Sequence, residues 1–304
     1  MAEPSFLAVD WGTTNCRAWV VGADGSVGSE RDFPLGVSRL KPGEAAERFR
    51  SEVRPALGAE RLPALMAGMI GSTLGWIEAP YLDCPINAGA LASRLTAVPG
   101  EDPPVRIVPG LRGEGIAGGP DVMRGEETQV LGWLELDPSR LEGTRVICHP
   151  GTHAKWVLVQ DGRIERFVTA MTGELFDVLS KHSVLNSENG PFDDAGFEQG
   201  LEAAEDGGAL AARLFSARAR VVGGNMPRET ARSYLSGLLI GAEVAGVPGL
   251  LGAELGEVAL IGDPKLCGFY RRALDRRGVR SQACDGSEAV LSGLKALFAK
   301  GDGA

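Results

Sequence analysis

The chain has 304 residues, of which 44% are hydrophobic and 23% charged, and its net charge is −9. That length is a soft indication of about two domains, and the composition supplies a sizeable core. The acidic balance argues against a protein whose main work is gripping nucleic acid or an anionic membrane, yet it leaves room for a basic pocket that takes a small anion. Five cysteines (Cys16, Cys84, Cys148, Cys267 and Cys284) are scattered without a C-x-x-C spacing, which reads as reduced, buried thiols in a cytoplasmic protein. No basic-then-apolar leader opens the sequence and no apolar run approaches the ~20 residues of a spanning helix.

The first apolar run, Phe6 to Val9, ends at Asp10, and a second β-prone run begins after Arg17. Two such runs around a tight polar turn predict a hairpin. Gly12 allows close backbone approach, and Thr13, Thr14 and Asn15 add short donors, so the turn can cradle phosphate oxygens. Asp10, at the strand end, suits a magnesium ion held through water. Arg17 is a fixed cation for a phosphate or a carboxylate. An ordinary polar hairpin turn is the competing account.

After a turn at Ala23–Ser26 a weaker strand is expected, then a loop, Gly36–Leu40, carrying Arg39. Glu44 to Leu57 has helical spacing, with Ala45, Phe49 and Val53 on one stripe. Leu62 to Met69 reads as a buried strand running into a small-residue loop with Gly71, Ser72 and Trp76, a place where α/β proteins put substrate contacts. Ala88 to Ala97 reads as a helix, Val105 to Val108 as a strand, and Gly110 to Asp121, with five glycines in twelve residues, as a mobile loop. A helix is expected from near Glu126. Acidic residues in a first turn suit the helix dipole, while the functional alternative makes Glu126 or Glu127 a general base.

Pro138 to Gly143 is the expected domain switch. Beyond it the opening theme recurs: strand Arg145–Cys148, a turn through Pro150, Gly151, Thr152, His153, Ala154 and Lys155, strand Trp156–Val159, a turn at Asp161–Gly162, and strand Ile164–Thr169. This reads as an internal duplication of a β-meander whose first turn binds phosphate. Two such turns facing each other would clamp one polyphosphate between two domains. His149 and His153 are four apart, but Pro150 and Gly151 between them argue against a helical metal pair. Thr172 to His182 reads as a helix with Thr172 as its cap, followed by a polar loop, Lys181 to Phe192. Helices are expected at Phe197–Glu205, Ala209–Ala219, Pro227–Ala245, Leu266–Arg277 and Glu288–Lys300, with a buried strand from Glu257 to Asp263. The run Leu260-Ile261-Gly262-Asp263 joins strand to helix through a glycine, which lets a base or ribose approach the backbone.

These stretches resemble the actin-like sugar kinases. Asp10 to Arg17 is similar to their first phosphate motif, Pro150 to Trp156 to their second, and Leu260 to Asp263 to their adenosine motif, with one glycine where a pair is usual. A closer resemblance, carried by VDWGTTNCRAW, GVSRL, LMAGMIGSTLGW, APYL, VPGL, VMRGEETQVLG, PGTHAKWV, VTAMTGELF and SGLLIGAEV, is to the 2-dehydro-3-deoxygalactonokinase family. The resemblance implies an α/β fold of two ribonuclease-H-like, actin-like ATPase domains. Each would be a mixed sheet flanked by helices, with a cleft between them that closes over substrate. The domains are expected at 1–137, with the first phosphate motif and the sugar-acid site, and at 138–304, with the second phosphate and adenosine motifs. The implied reaction is ATP- and Mg²⁺-dependent phosphorylation of 2-dehydro-3-deoxy-D-galactonate at its 6-hydroxyl, in galactonate catabolism. The same resemblance makes Glu126 the base, with Glu127 the alternative, and Asp10 the magnesium residue. It gives the polyphosphate to Gly12, Thr13, Thr14, Asn15, Gly151, Thr152 and His153, the transferring charge to Arg17 or Lys155, and the nucleoside to Gly262 and Asp263. Arg39 and Arg124 are candidates for the substrate carboxylate, with Gly71, Ser72 and Trp76 lining the sugar. The partners implied are these small molecules alone, with no nucleic acid or membrane, and a homo-oligomer stays open. The competing classes are an actin-like phosphohydrolase, a kinase of another sugar acid, and an ATP-switched protein without turnover.

Overall fold

The chain folds around a hairpin of β1 (Pro4–Trp11) and β2 (Cys16–Gly22), antiparallel, with Asp10 opposite Arg17 and Trp11 opposite Cys16. The computed structural model describes residues 4–185, 190–206, 208–252 and 255–301. β3 (Val27–Phe33) follows antiparallel to β2 as an exposed, charged edge strand. α1 (Glu44–Arg48) continues through a π turn at Phe49–Val53 into α2 (Arg54–Ala56), one helical stretch in place of the single expected helix. β4 (Ala64–Ala67), parallel to β1, leads to a tight turn at Met69–Gly71. Then come β5 (Tyr81–Asp83), α3 (Ala88–Ala92), β6 (Thr96–Ala97), β7 (Val105–Ile107), β8 (Gly110–Glu114), β9 (Pro120–Met123) and α4 (Glu126–Glu135). The second meander is β10 (Thr144–His149), β11 (Ala154–Gln160) and β12 (Arg163–Ala170). It is followed by α5 (Thr172–His182), α6 (Asp194–Glu202), α7 (Leu210–Val222), α8 (Ala231–Leu251), β13 (Glu257–Gly262), α9 (Pro264–Asp275), β14 (Arg280–Asp285) and α10 (Gly286–Gly301).

Two large sheets result. One runs β3-β2-β1-β4-β7-β6 and the other β12-β11-β10-β13-β14. The same order appears in both: a three-strand meander whose first strand is central, then two strands parallel to it on the far side, with the short antiparallel β6 added at the edge of the first sheet. The middles of the central strands are apolar, as parallel pairing covered on both faces requires; Leu7, Ala8, Val9, Ile147 and Cys148 have no exposure. The carboxyl ends of β1 and β4 lie side by side, as do those of β10 and β13. These are the switch points at which open α/β sheets receive ligands.

The chain divides into two compact units. The first runs through Thr144, returns for Val159–Arg166 and ends with the segment from Gly286 onward; the second is Arg145–Leu158 with Phe167–Asp285. This division differs from the expected 1–137 and 138–304, chiefly because the terminal helix belongs to the first unit. The cause is a close helix pair. A Cβ on Gly132 of α4 would stand 1.8 Å from the Ala289 carbonyl of α10, and one on Gly293 would stand 2.0 Å from the Thr128 carbonyl, so α10 lies backbone-to-backbone against α4.

Four further expectations are corrected. The glycine-rich stretch Gly110–Asp121 is largely paired: β8 and β9 form an antiparallel hairpin beside β5, and only Gly115–Gly119 makes the turn. The helix from Ala88 ends at Ala92, and Thr96–Ala97 joins the sheet as an edge strand. Thr172 does not cap α5 but is its first residue, with a hydroxyl that bonds elsewhere. The stretch Arg228–Leu251 is long and apolar enough to cross a membrane by length and composition. Most of it is buried, in the core of the second unit with Trp156, Phe197, Leu260 and Tyr270. The polar loop expected at 181–192 falls partly on 186–189, outside the described residues.

Candidate active site

In the first unit the Gly12–Asn15 turn is pinned from behind. The carbonyls of Gly12, Thr13 and Thr14 accept from the N–H groups of Val37, Ser38 and Gly36, and the Ser38 hydroxyl also donates to Thr13 (2.7 Å). The side chains of Thr13, Thr14 and Asn15 are left exposed. The GVSRL segment thus serves as a brace, and it sets Arg39, exposed, beside the turn. Trp11 is fully buried, and its indole N–H donates to the Leu35 carbonyl, which makes it an anchor. Trp76 packs on Phe49 at 5.5 Å between ring centres.

Asp10, the last residue but one of β1, lies next to Gly68, which follows β4. Gly68 has φ +92°, and a Cβ there would come within 2.8 Å of the Trp11 carbonyl and 3.3 Å of Asp10 Oδ1. Gly125, immediately before α4, lies against the same glycine, 3.3 Å from its Cα to an ideal Cβ on Gly125. This approach, open only to glycine, brings the start of α4 to Asp10. Burial pushes the Asp10 carboxyl up to about 6; Arg17 pulls it down and Glu126 pushes it further up.

The two glutamates divide sharply. Glu127 is fully buried, and its carboxyl accepts from the Gly125 N–H (2.7 Å) and the Thr128 hydroxyl (3.0 Å). Burial, then the charge on Glu126, pushes it up to about 8. Glu126 is partly exposed, accepts from the Arg124 N–H at 3.0 Å, and its charge is felt at Asp10. Arg124 is 8% exposed, donates one Nη2–H to the Ala79 carbonyl (2.7 Å) and lies over the Tyr81 ring. Its Nε and Nη1 are buried with no partner, and Nη1 borders Gly71. Ser72 turns its hydroxyl to the Met69 carbonyl (2.7 Å). Arg17 is committed to Asp32 (2.5 Å), with Glu30 at 3.7 Å and the Ser287 hydroxyl also bonded.

In the second unit a cavity of about 890 Å³ is lined by the Pro150–Thr152 turn, the starts of α5 and α9, and α8. A Cβ on Gly173 would stand 2.4 Å from the Gly151 carbonyl, and the Glu174 N–H donates to the Thr152 carbonyl (3.0 Å). The helix therefore starts directly on the turn. No side chain caps α5; the Glu174 N–H is taken by Thr152, and the helix dipole favours an anion at this end. Asp263 caps α9 through the Leu266 N–H (2.9 Å), and Lys265 stands exposed at the cavity. Phe192 and Phe269 are stacked at 4.8 Å and share in its wall.

Of the residues singled out from the sequence, Gly151, Thr152 and Asp263 line this cavity. Gly262 ends β13 next to Asp263, near the Pro150 carbonyl. His153 is exposed and pairs with Glu174. Lys155 is buried in the sheet, with its ammonium on the Thr169 hydroxyl (2.8 Å). Sequence reasoning passed over Gly173, Ser233, Ser236, Lys265 and Phe269; the only signal for the two serines was their place at the start of a long apolar helix. Among the described residues no group of three or more His, Cys, Asp or Glu side chains is arranged for a metal. Magnesium keeps waters and takes one or two carboxylates plus substrate phosphates, so it does not need such a group; Asp10 is a carboxylate beside the first turn, pushed up to about 6 chiefly by burial.

The repeated sheet order, with a polar turn after the central strand of each sheet, is the architecture of the actin-like ATPases and the sugar kinases built on it. The chain belongs to the 2-keto-3-deoxy-galactonokinase family, whose sequence model matches residues 10–297. It is 37% identical over 294 residues to the 2-dehydro-3-deoxygalactonokinase of Escherichia coli (strain K12), covering 96% of this chain and 97% of that one. A crystal structure from Sinorhizobium meliloti, named for the same activity, matches with a TM-score of 0.84 and 38% identity over 96% of this chain and 97% of its own. Component A of the (R)-2-hydroxyglutaryl-CoA dehydratase of Acidaminococcus fermentans matches in fold, with a TM-score of 0.51 and 12% identity over 97% of this chain and 98% of its own.

Proposed function

We propose that this chain transfers the γ-phosphoryl group of ATP to the 6-hydroxyl of 2-dehydro-3-deoxy-D-galactonate, giving 2-dehydro-3-deoxy-6-phosphogalactonate and ADP in galactonate catabolism. The observation that carries the chemistry is the close approach of Gly125, just before Glu126 at the start of α4, to Gly68, which also lies against Asp10 at the end of β1. Glu126 is the base. It is the glutamate with an exposed edge, whereas Glu127 has none and is held by two donors. As the 6-hydroxyl oxygen bonds to the γ-phosphorus, Glu126 takes its proton, and the electrons of the breaking bond leave on the β-phosphate oxygen. Asp10 is the residue for magnesium, which when bound neutralises polyphosphate charge. The rest of the work is positioning and electrostatics.

Nucleotide binding is assigned to the cavity of the second unit, with the phosphates at the Gly151–Thr152 turn and the α5 start, beside Lys265, and the base toward Phe192 and Phe269. In the first unit, exposed Thr13, Thr14 and Asn15 take the transferring end of the polyphosphate. Arg17 and Lys155 act through the strands they brace, since both side chains already hold protein partners. Arg124 takes the substrate carboxylate. A fixed cation with two buried, unpartnered donors is costly until an anion meets them. Five free thiols are in keeping with a cytoplasmic enzyme.

The test is ADP release from MgATP with and without 2-dehydro-3-deoxy-D-galactonate, beside a panel of related sugar acids. Stimulation by the galactonate derivative supports the reaction and the substrate together. Stimulation by a different acid replaces the substrate, and release indifferent to every acceptor removes the kinase reading. Arg124→Met should raise KM for the sugar acid about ten- to a hundredfold, the size expected for hydrogen bonds to a charged group. Arg39→Met should do less.

A further inference from the structure

A carboxylate lies beneath the second unit's cavity without lining it. Glu243, on α8, is 5% exposed and accepts three hydrogen bonds. Trp156 Nε1 of β11 donates at 2.7 Å, the Tyr270 hydroxyl of α9 at 2.8 Å, and the Thr172 hydroxyl, at the first residue of α5, completes the set. Thr172 and Tyr270 both line the cavity, and the residue after Thr172 is the glycine that seats α5 on the Gly151–Thr152 turn. One side chain on α8 therefore holds three other elements of the unit, two of them by residues in the cavity wall.

An apolar side chain of similar volume would fill this space without the desolvation that burial imposes on a carboxylate; burial does push the Glu243 carboxyl up, against the pull of its three donors. What an apolar residue lacks is direction. Hydrogen bonds to two oxygens fix the rotation of the first α5 residue and the height of α9, and a packed methyl group does not.

We propose that Glu243 is a positioning residue for nucleotide binding: through Thr172 and Tyr270 it sets the start of α5 and the face of α9 at the cavity. The proposal rests on the assignment of that cavity to the nucleotide. Glu243 touches neither ligand, and its effect passes through the elements it holds.

The experiment compares Glu243→Gln, Glu243→Met, Thr172→Val and Tyr270→Phe in the full chain. It measures KM for MgATP, KM for 2-dehydro-3-deoxy-D-galactonate, kcat and thermal stability. The Met variant should raise KM for MgATP about tenfold or more, as loss of a set of buried hydrogen bonds implies. KM for the sugar acid should stay within about twofold, because the site of that ligand is untouched. Gln, which retains an acceptor oxygen, should recover part of the loss. Should the Met variant fail to fold, Thr172→Val, which removes one donor alone, must still raise KM for MgATP selectively. A fall in melting temperature with both KM values unchanged, or an equal rise in both, overturns the proposal. Lys265→Ala and Ser236→Ala test the cavity assignment itself. If neither weakens MgATP, that assignment falls and the proposal with it; if both do while the Glu243 and Thr172 variants do not, only the positioning role falls.

Discussion

The two units share a sheet order and a polar turn after the central strand, yet they surround that turn differently. In the first, the turn is braced by the Gly36–Ser38 segment, and the carboxylates near it come from β1 and the start of α4: Asp10, Glu126 and Glu127. In the second, a helix starts directly on the turn, and the surroundings mix serines, aromatic rings and the cations Arg232 and Lys265 with the carboxylates of Glu174, Asp177 and Asp263. A duplicated scaffold thus offers one end suited to taking a proton and another suited to holding an anion. The lesson is that one sheet order can carry two different surroundings, because the element packed onto each turn decides which groups line it.

The comparison breaks most directly at Glu126. Glu126→Gln should lower kcat about a hundred- to ten-thousandfold, the range for loss of a general base, with ligand binding kept. Glu127→Gln should cost far less, because Gln still accepts from Gly125 or Thr128. The reverse ranking in steady-state assays would make Glu127 the base. Next in size is Gly173→Ala. Its methyl group would meet the Gly151 carbonyl at 2.4 Å, forcing α5 off the turn. KM for MgATP should rise about tenfold with little change in KM for the sugar acid; an unchanged KM for MgATP would remove the helix start from the nucleotide site.

The smallest effect is on stability against pH. Glu127, raised from 4.5 to about 8, carries a proton in the folded protein that the unfolded chain has released. Its contribution is complete below about 4.5 and is lost as pH rises through about 8. Asp10 adds the same sign between 3.8 and about 6. Melting temperatures of Glu127→Gln and the parent should therefore diverge in favour of the variant between about pH 5 and pH 8.5. Parallel curves would mean that Glu127 is ionised throughout.

Much of the scaffold was legible because its signals are local. Alternating runs around Gly12–Asn15 and Asp161–Gly162 set the hairpins, and the acidic pair at Glu126–Glu127 marked the start of α4. Glycine misled at Gly110–Asp121, where β8 and β9 pair across the sheet despite poor strand residues. The place of α10 was hidden because a contact between Gly132 and Ala289 has no local signature. In the site, residue types were readable but side-chain destinations were not. Arg17 and Lys155 look like phosphate cations in the sequence, and each is held by a neighbouring strand. Glu243 is a lone acid in an apolar helix, and its three donors come from parts of the chain at least 27 positions away.

The division of labour between the units is tested most directly by calorimetric titration of MgATP into two variants, Glu126→Gln and Lys265→Ala. The account predicts near-parental affinity for Glu126→Gln, which turns over almost nothing, and clearly weaker binding for Lys265→Ala, which stays folded. Weakened binding in Glu126→Gln together with parental binding in Lys265→Ala would contradict it.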